Sequence, residues 1–354
     1  MRTRIAAAVA AVAALLPLPV PAHAGPAGDS LTWSLAPSGP KGPNGRPALD
    51  YKLDPGATIT DHVAVTNHSK HPLTLSLYPN DAFTTATGGF DLRAGTAEPA
   101  GAGRWINLAE DRLTLRPSTR VVVPFTVTVP ANATPGDHAA GIVASLATDA
   151  TNTAGNRVTV DHRVGARVYL RVTGPLRPAL SITDVDISTA SSWNPLRLPR
   201  VTASFTVANT GNVRLSSRPS ADIEGPFSLG GRAAAAAAVP EFLPGGSLRT
   251  TISLDAVLPL FRERLSLDPG PAPADGRAID PAPGRAVSEH TVWLVPWPQL
   301  TLLAFMTALF LAALLRRRRR RRRMVAAIAA AEQRGRDQAN SSQQSPSLHK
   351  EGSR

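Results

Sequence analysis

A predominantly apolar stretch near the C-terminus, followed at once by eight arginines, constrains this chain more than any other feature. Trp297 to Leu315 reads WPQLTLLAFMTALFLAALL, no charged residue occurs from Thr291 to Leu315, and Arg316 to Arg323 follow without a break. At about 1.5 Å of rise per residue, a helix over that stretch is about 28 Å long, matching the hydrocarbon core of a bilayer. Trp293 and Trp297 sit at its start, where amphipathic rings favour the headgroup layer. Arginines beside a span stay on the cytoplasmic side, which puts Arg316, Arg317 and Arg318 at the inner interface and the residues before the span outside. The run also attracts anionic lipids, by roughly 1 kcal/mol per basic residue near the surface.

The N-terminus agrees. Arg2 and Arg4 precede the apolar segment Ile5 to Leu18, and Ala22-His23-Ala24 places small residues at both key positions of a signal-peptidase site. This pattern predicts a signal peptide over residues 1–24. A cleaved leader and one stop-transfer span make a single-pass cell-membrane protein with its N-terminal domains extracellular. The formal charge of +12 therefore misleads. Once the net +9 of the tail and the +2 of the leader are set aside, +1 remains for the exported part, which argues against a nucleic-acid partner. There is no cysteine, so the exported domains must be held by hydrophobic cores rather than disulfides.

The exported part reads as all-β. Ile59, Val63 and Val65 lead up to Asn67; Leu73, Leu75 and Leu77 alternate with polar residues; so do Val121, Val123, Phe125, Val127 and Val129. Val168, Leu170 and Val172 close the series. Period-two alternation of this kind marks half-buried strands. Asp54-Pro55-Gly56, Thr87-Gly88-Gly89 and Pro135-Gly136-Asp137 supply turns, and residues 144–163 read as a hairpin. A second series follows Gly174-Pro175: Ile182, Val185 and Ile187; Val201, Ala203, Phe205 and Val207; Ile252 with Leu254; and residues 287–295. Residues 201–215 (VTASFTVANTGNVRL) echo residues 62–75, each a strand, an Asn-led turn and a return strand. The expected architecture is two tandem immunoglobulin-like antiparallel β-sandwiches, 25–175 and 176–295, then a transmembrane helix at 296–315 and a basic cytoplasmic tail at 316–354. The Pro-rich stretch 267–285 is expected to be a long loop, Ala233 to Ala238 a loop or helical turn, Met324 to Gln333 a short helix and Gln338 onward a disordered tail.

Leu53-Asp54-Pro55-Gly56, Val63 to Asn67, Asn80-Asp81-Ala82-Phe83 and Gly88-Gly89 follow one another in an order that resembles the N-terminal domain of the WxL-interacting-protein family of Gram-positive cell-surface proteins. Trp105, Leu113 to Pro117, Val127 to Pro130 and Pro135-Gly136-Asp137-His138 continue the likeness. The resemblance implies a peptidoglycan-binding first domain, a second sandwich and a C-terminal span. Asn209-Thr210-Gly211-Asn212 and Leu243-Pro244-Gly245 fit the second domain, which resembles the family less closely.

Catalytic signatures are missing: the sequence has no Gly-x-Ser-x-Gly elbow, phosphate loop, His-Glu-x-x-His or cysteine nucleophile. His62, His68 and His71 cluster in sequence, but such histidines are more often solvated strand ends than metal ligands. No cofactor is expected. Asn80-Asp81 reads first as an Asx turn. The competing reading is a glycan-contacting surface made by Tyr78, Asn80, Asp81, Phe83 and Trp105, since sugar faces pack on aromatic rings while carboxylates and amides take hydroxyls. The expected function is a non-catalytic surface protein that binds peptidoglycan or another wall component. The alternative is a module recruiting a wall-associated protein by strand addition.

Overall fold

The computed structural model describes residues 31–151 and 155–343, so the leader at 1–24 and the last residues of the tail lie outside the described part. The chain is mostly β, with several sheets and one C-terminal helix. Its first half contains β1 (Trp33–Gly39), β2 (Gly42–Pro43), β3 (Leu49–Leu53), β4 (Thr58–Asn67), β5 (Leu73–Thr84), β6 (Phe90–Leu92), β7 (Ile106–Leu108), β8 (Arg112–Leu115), β9 (Arg120–Thr128), β10 (Gly136–Thr151) and β11 (Arg157–Val172). One sheet has the order β2-β1-β4-β9-β7; the other has β3-β11-β10-β5-β6, with β8 also on β5. Every pairing is antiparallel except β3 on β11, which is parallel. The alternating residues do as their period dictates. Val63, Val65, Val123 and Phe125 of the first sheet meet Leu75, Leu77, Ile142 and Leu170 of the second in one dry core.

The second half contains β12 (Leu180–Ala190), β13 (Arg200–Asn209), β14 (Leu215–Ser217), β15 (Ser220–Glu224), β16 (Arg232–Ala235), β17 (Val239–Phe242), β18 (Ser247–Leu254), β19 (Phe261–Asp268), β20 (Pro271–Pro273) and β21 (Ser288–Leu294). They form three sheets, β12-β13-β18, β17-β14-β20 and β16-β15-β19-β21, around a separate core that includes Phe205, Leu215, Ile223, Phe242 and Leu265. The polyalanine tract is a strand at its start, not a loop or helical turn: Ala233 to Ala235 pair with Ser220 to Asp222 of β15. Pairing overrides alanine's helical preference here. Within the Pro-rich stretch, Leu267 and Asp268 close β19, and β20 is an edge partner of β14, where proline's missing N–H costs nothing. The strand β19 hides from a hydrophobic pattern because Glu263 occupies a fully inward position, its carboxylate accepting the Leu260 N–H at 2.8 Å.

The sequence echo is a repeated piece of structure. In the first half, buried Asn67 accepts the N–H of Ser69 and donates through Nδ2 to the carbonyls of His71, Leu115 and Arg116. In the second, buried Asn209 accepts the N–H of Gly211 and donates to the carbonyls of Val213 and Phe242. The registers correspond as well. Leu73 pairs with Leu115 as Leu215 pairs with Phe242, and Thr66 faces Arg120 as Ala208 faces Ser247. The turns leading into β9 and β18 each hold a positive φ, at Ser118 and Gly245.

After Pro296 a single helix, α1 (Trp297–Gln343), runs through the arginines without a break. Its apolar part is long and apolar enough to cross a membrane, and no other part of the protein among the described residues covers it. The helix does not stop with the span or break after Gln333, and residues 338–343 are helical rather than disordered; residues 344–354 lie outside the described part. Arg, Met, Ala, Gln and Glu are strong helix formers and make up most of residues 316–339, with Gly335 the one glycine among them.

Candidate binding surface at the junction of the two halves

The proposed glycan-contacting residues lie on β5 and on the segment folded against it. Asn80 and Asp81 are both buried. Asn80 donates through Nδ2 to the carbonyls of Ala94 and Ala97 at 2.9 and 2.8 Å. The Asp81 carboxylate takes three backbone N–H groups, those of Ala100, Gly101 and Gly103, at 2.6, 2.8 and 2.7 Å. The two side chains pin residues 94–103 onto β5, and a Cβ at Gly103 would lie 2.8 Å from the Asn80 backbone. Three accepted hydrogen bonds leave Asp81 little capacity for a sugar hydroxyl.

The aromatic members are divided. Trp105 ends the short 3-10 turn held by Asp81, packs against the first core, and sets its ring 4.7 Å from the His138 imidazole. Tyr78 turns its hydroxyl into the protein, where it finds no hydrogen-bond partner among the described residues. Phe83 is exposed at the surface with the Arg93 guanidinium 5.8 Å from its ring. Of the five, Asp81 lines a cleft of about 360 Å³ at the junction, together with Arg93, Asp137, His138, Asn212 and Pro244. His62 lies beside Asp61, and His68 bonds Ser34 through Nε2. Among the described residues no three His, Cys, Asp or Glu side chains converge as a metal site would require.

Behind the cleft is a charged lock that the sequence does not announce. Asp137, near the start of β10, is buried. Arg171 of β11 grips its carboxylate with two hydrogen bonds, at 2.6 and 2.8 Å, and the backbone N–H of Arg214, from the second half, adds a third at 2.7 Å. Arg214 lays its guanidinium 3.6 Å over the Tyr169 ring and bonds Glu241 of β17 at 3.1 Å. The Tyr169 hydroxyl donates to the same carboxylate at 2.9 Å. Burial, then Glu241 nearby, pushes the Tyr169 phenol up to about 12. The hydrogen bond to Asp137 raises the Arg171 pKa against the opposing effect of burial. Asn212 completes the joint by bonding the carbonyls of Pro135 and Pro175. Only glycine fits at Gly136: its φ is +118°, and a Cβ would lie 2.2 Å from the Asn212 carbonyl oxygen. Two sequence signals pointed here without identifying the lock: the Pro135-Gly136-Asp137-His138 turn and the Asn-Thr-Gly-Asn turn that precedes Arg214.

The hairpin β10–β11 carries the other notable surface. It is paired from Gly136↔Val172 out to Thr151↔Arg157. On its far edge β11 meets β3 only from Val168 onward, so residues 157–167 have no ladder partner there among the described residues. Residues 157–163 are exposed, Val158 and Val160 among them.

No protein-family model matches the sequence, and no curated protein matches it. Solved structures with some likeness include the class 5 fimbriae chaperone CfaA, at 12% identity and TM-score 0.32 over 75% of this chain and 100% of that one. The YadV chaperone follows at 9% and 0.30, covering 73% and 99%. A Salmonella enterica SafA pilin complex with the SafB chaperone stands at 9% and 0.30, covering 75% and 97%. At such overlaps the likeness carries no argument about this chain.

Proposed function

We propose that this is a non-catalytic, single-pass cell-surface protein, built as two tandem immunoglobulin-like sandwiches on a transmembrane helix, that captures a wall-associated protein by strand addition. The observation that carries the reading is the unpaired edge of β11 at residues 157–167, a row of free backbone donors and acceptors beside exposed valines. Such an edge is a template for an extended segment. The leader, the uncovered apolar helix and the arginine run support an external body and a cytoplasmic C-terminus. The layout resembling WxL-interacting proteins supports the same placement. Because the span holds the body at the cell surface, a weak contact is enough.

A second reading, direct binding of peptidoglycan, is favoured by the junction cleft, where Arg93 stands beside exposed Phe83. One experiment separates them. The detergent-solubilised full chain is incubated with protein-free sacculi and, separately, with proteins stripped from the wall. Adjacent residues of a strand point their N–H groups to opposite edges, so of Thr159→Pro and Val160→Pro one removes a donor from the free edge. Loss of one saturable wall-protein partner in that variant, with folding intact by circular dichroism, supports strand addition. Unchanged capture in both variants rejects it. Binding to bare sacculi that weakens in Phe83→Ala and Trp105→Ala supports the glycan reading instead.

A further inference from the structure

The end of the second half that meets α1 is ringed by apolar side chains that nothing among the described residues covers. Strand register fixes which loops lie at that end. Ala190 pairs with Arg200, Val201 with Leu254, Glu224 with Arg264, and Phe261 with Leu294, just ahead of the helix. The connections 191–199, 225–231 and 255–260 and the end of β21 therefore gather at one pole, opposite the Asn209–Asn212 turn that joins the first half. Trp193 is 81% exposed, Leu196 90% and Phe227 97%, with Leu229, Leu258, Phe261 and Trp293 also exposed there. Among the described residues of the second half, Val287 is the one exposed large apolar side chain away from this pole. Scattered apolar residues are ordinary; a ring of them at one end is not.

Two further observations say what covers it. The Gln299 side chain, in the first turn of α1, donates to the Pro195 carbonyl at 2.8 Å, so the Trp193 loop is fastened beside the helix entry. Trp193, Val295, Trp297 and Pro298 line a shared cleft of about 350 Å³ there. Phe227 and Ser228 both hold φ near +60°, the left-handed region that residues other than glycine seldom adopt. That backbone strain is spent on a turn that presents Phe227 outward. Exposed arginines at 197, 232 and 262 lie at the same pole.

We infer that this pole is a lipid-binding surface, seated in the outer interfacial layer of the bilayer that α1 crosses. The inference rests on the reading of α1 as a membrane span. Trp and Phe rings belong at the headgroup level, and arginines among them meet lipid phosphates. The span alone would leave the body free to swing; a seated pole holds it upright.

The chain has no cysteine, so single substitutions can be labelled without background. Trp193→Cys, Leu196→Cys and Phe227→Cys each receive an environment-sensitive dye in the full chain, reconstituted in vesicles containing doxyl-labelled lipid. Thr159→Cys, in the distal hairpin, is the control, and Leu309→Cys reports on the span itself. Blue-shifted pole labels that lose most of their emission to the doxyl lipid, with the control unchanged, are the expected result. Quenching at residue 309 with pole labels as wet as the control overturns the proposal and leaves the span standing. Absence of quenching at residue 309 overturns the span reading, and the proposal falls with it. Pole labels shielded from water yet untouched by the doxyl lipid mean that a second copy covers the pole, which also overturns it.

Discussion

Replacing Asp137 with alanine tests whether the junction lock couples the two halves. The variant strands several groups at once. Arg171 loses both hydrogen bonds, but its side chain is about a quarter exposed and water can replace the carboxylate. Arg214 fares worse. Its backbone N–H is buried and left without an acceptor, which costs about 1–3 kcal/mol, and its guanidinium keeps Glu241 as its one carboxylate partner. Breaking a fully buried charge pair costs about 3–5 kcal/mol, and the retained Glu241 contact and the exposure of Arg171 reduce that figure. The expected loss is about 2–4 kcal/mol. Equilibrium urea unfolding of residues 25–295, followed by circular dichroism, reads it as a lower midpoint. Hydrogen exchange at the Arg214 amide should accelerate in parallel. Asp137→Asn, which keeps the shape and one acceptor oxygen, should fall between the two. A midpoint unchanged within about 0.5 kcal/mol, the scatter of ordinary surface substitutions, would refute the lock.

Other outcomes follow from the same geometry. Gly136→Ala should destabilise the junction about as much as Asp137→Ala, because a Cβ there meets the Asn212 carbonyl at 2.2 Å and the φ is positive, and thermal unfolding measures it. Asn67→Ala and Asn209→Ala should each cost about 2–4 kcal/mol by leaving buried carbonyls and an N–H unpaired; a large effect at one site alone contradicts their equivalence. Tyr169 has a folded pKa raised above its ordinary value of about 10, so its contribution is complete below pH 10 and is lost as pH rises through about 12. Alkaline titration of stability should show that loss, and Tyr169→Phe should reduce it, leaving the part that comes from Tyr51, whose phenol is also raised by burial and Asp61. At the other extreme, burial opposes ionisation of Asp61, but hydrogen bonds from Arg46, Tyr51 and the His62 N–H prevail and lower its pKa. Its contribution is therefore present above about pH 4 and lost as pH falls through the lowered value; Asp61→Asn should flatten that part of the acid profile.

Where alternation was strong the sequence disclosed the strands, because residues such as Val121 to Val129 can place their apolar set on a single face only in extended backbone. It also disclosed the Asn67 and Asn209 turns as an echo, since one geometry demands one set of residue types. Failures came where a long-range contact overrode local preference. Polyalanine became strand because β15 offered a partner, and β19 was hidden by a glutamate at a core position. The junction lock was illegible for the same reason: Asp137 and Arg214 lie 77 residues apart, and neither looks unusual alone. The open edge of β11 was equally invisible, because an edge is defined by the strand that is not beside it.

These features combine into one mechanical consequence. The hairpin β10–β11 starts at the junction, with Gly136 and Val172, and runs away from it as far as the Thr151–Arg157 pair. Sixteen residues of strand extend about 50 Å at roughly 3.3 Å per residue, and the ten residues of β13 between the junction and the helix pole add about 33 Å. A rigid joint and a seated pole together would present the free edge at a fixed height of up to about 80 Å above the bilayer. Loosening either would let it sweep through a range of heights. Asp137→Ala should therefore weaken capture of the wall-bound partner in intact membranes while leaving affinity for a soluble fragment of that partner unchanged, because the hairpin edge itself is untouched. Equal weakening in both assays would place the effect in the edge and break the link between junction and reach.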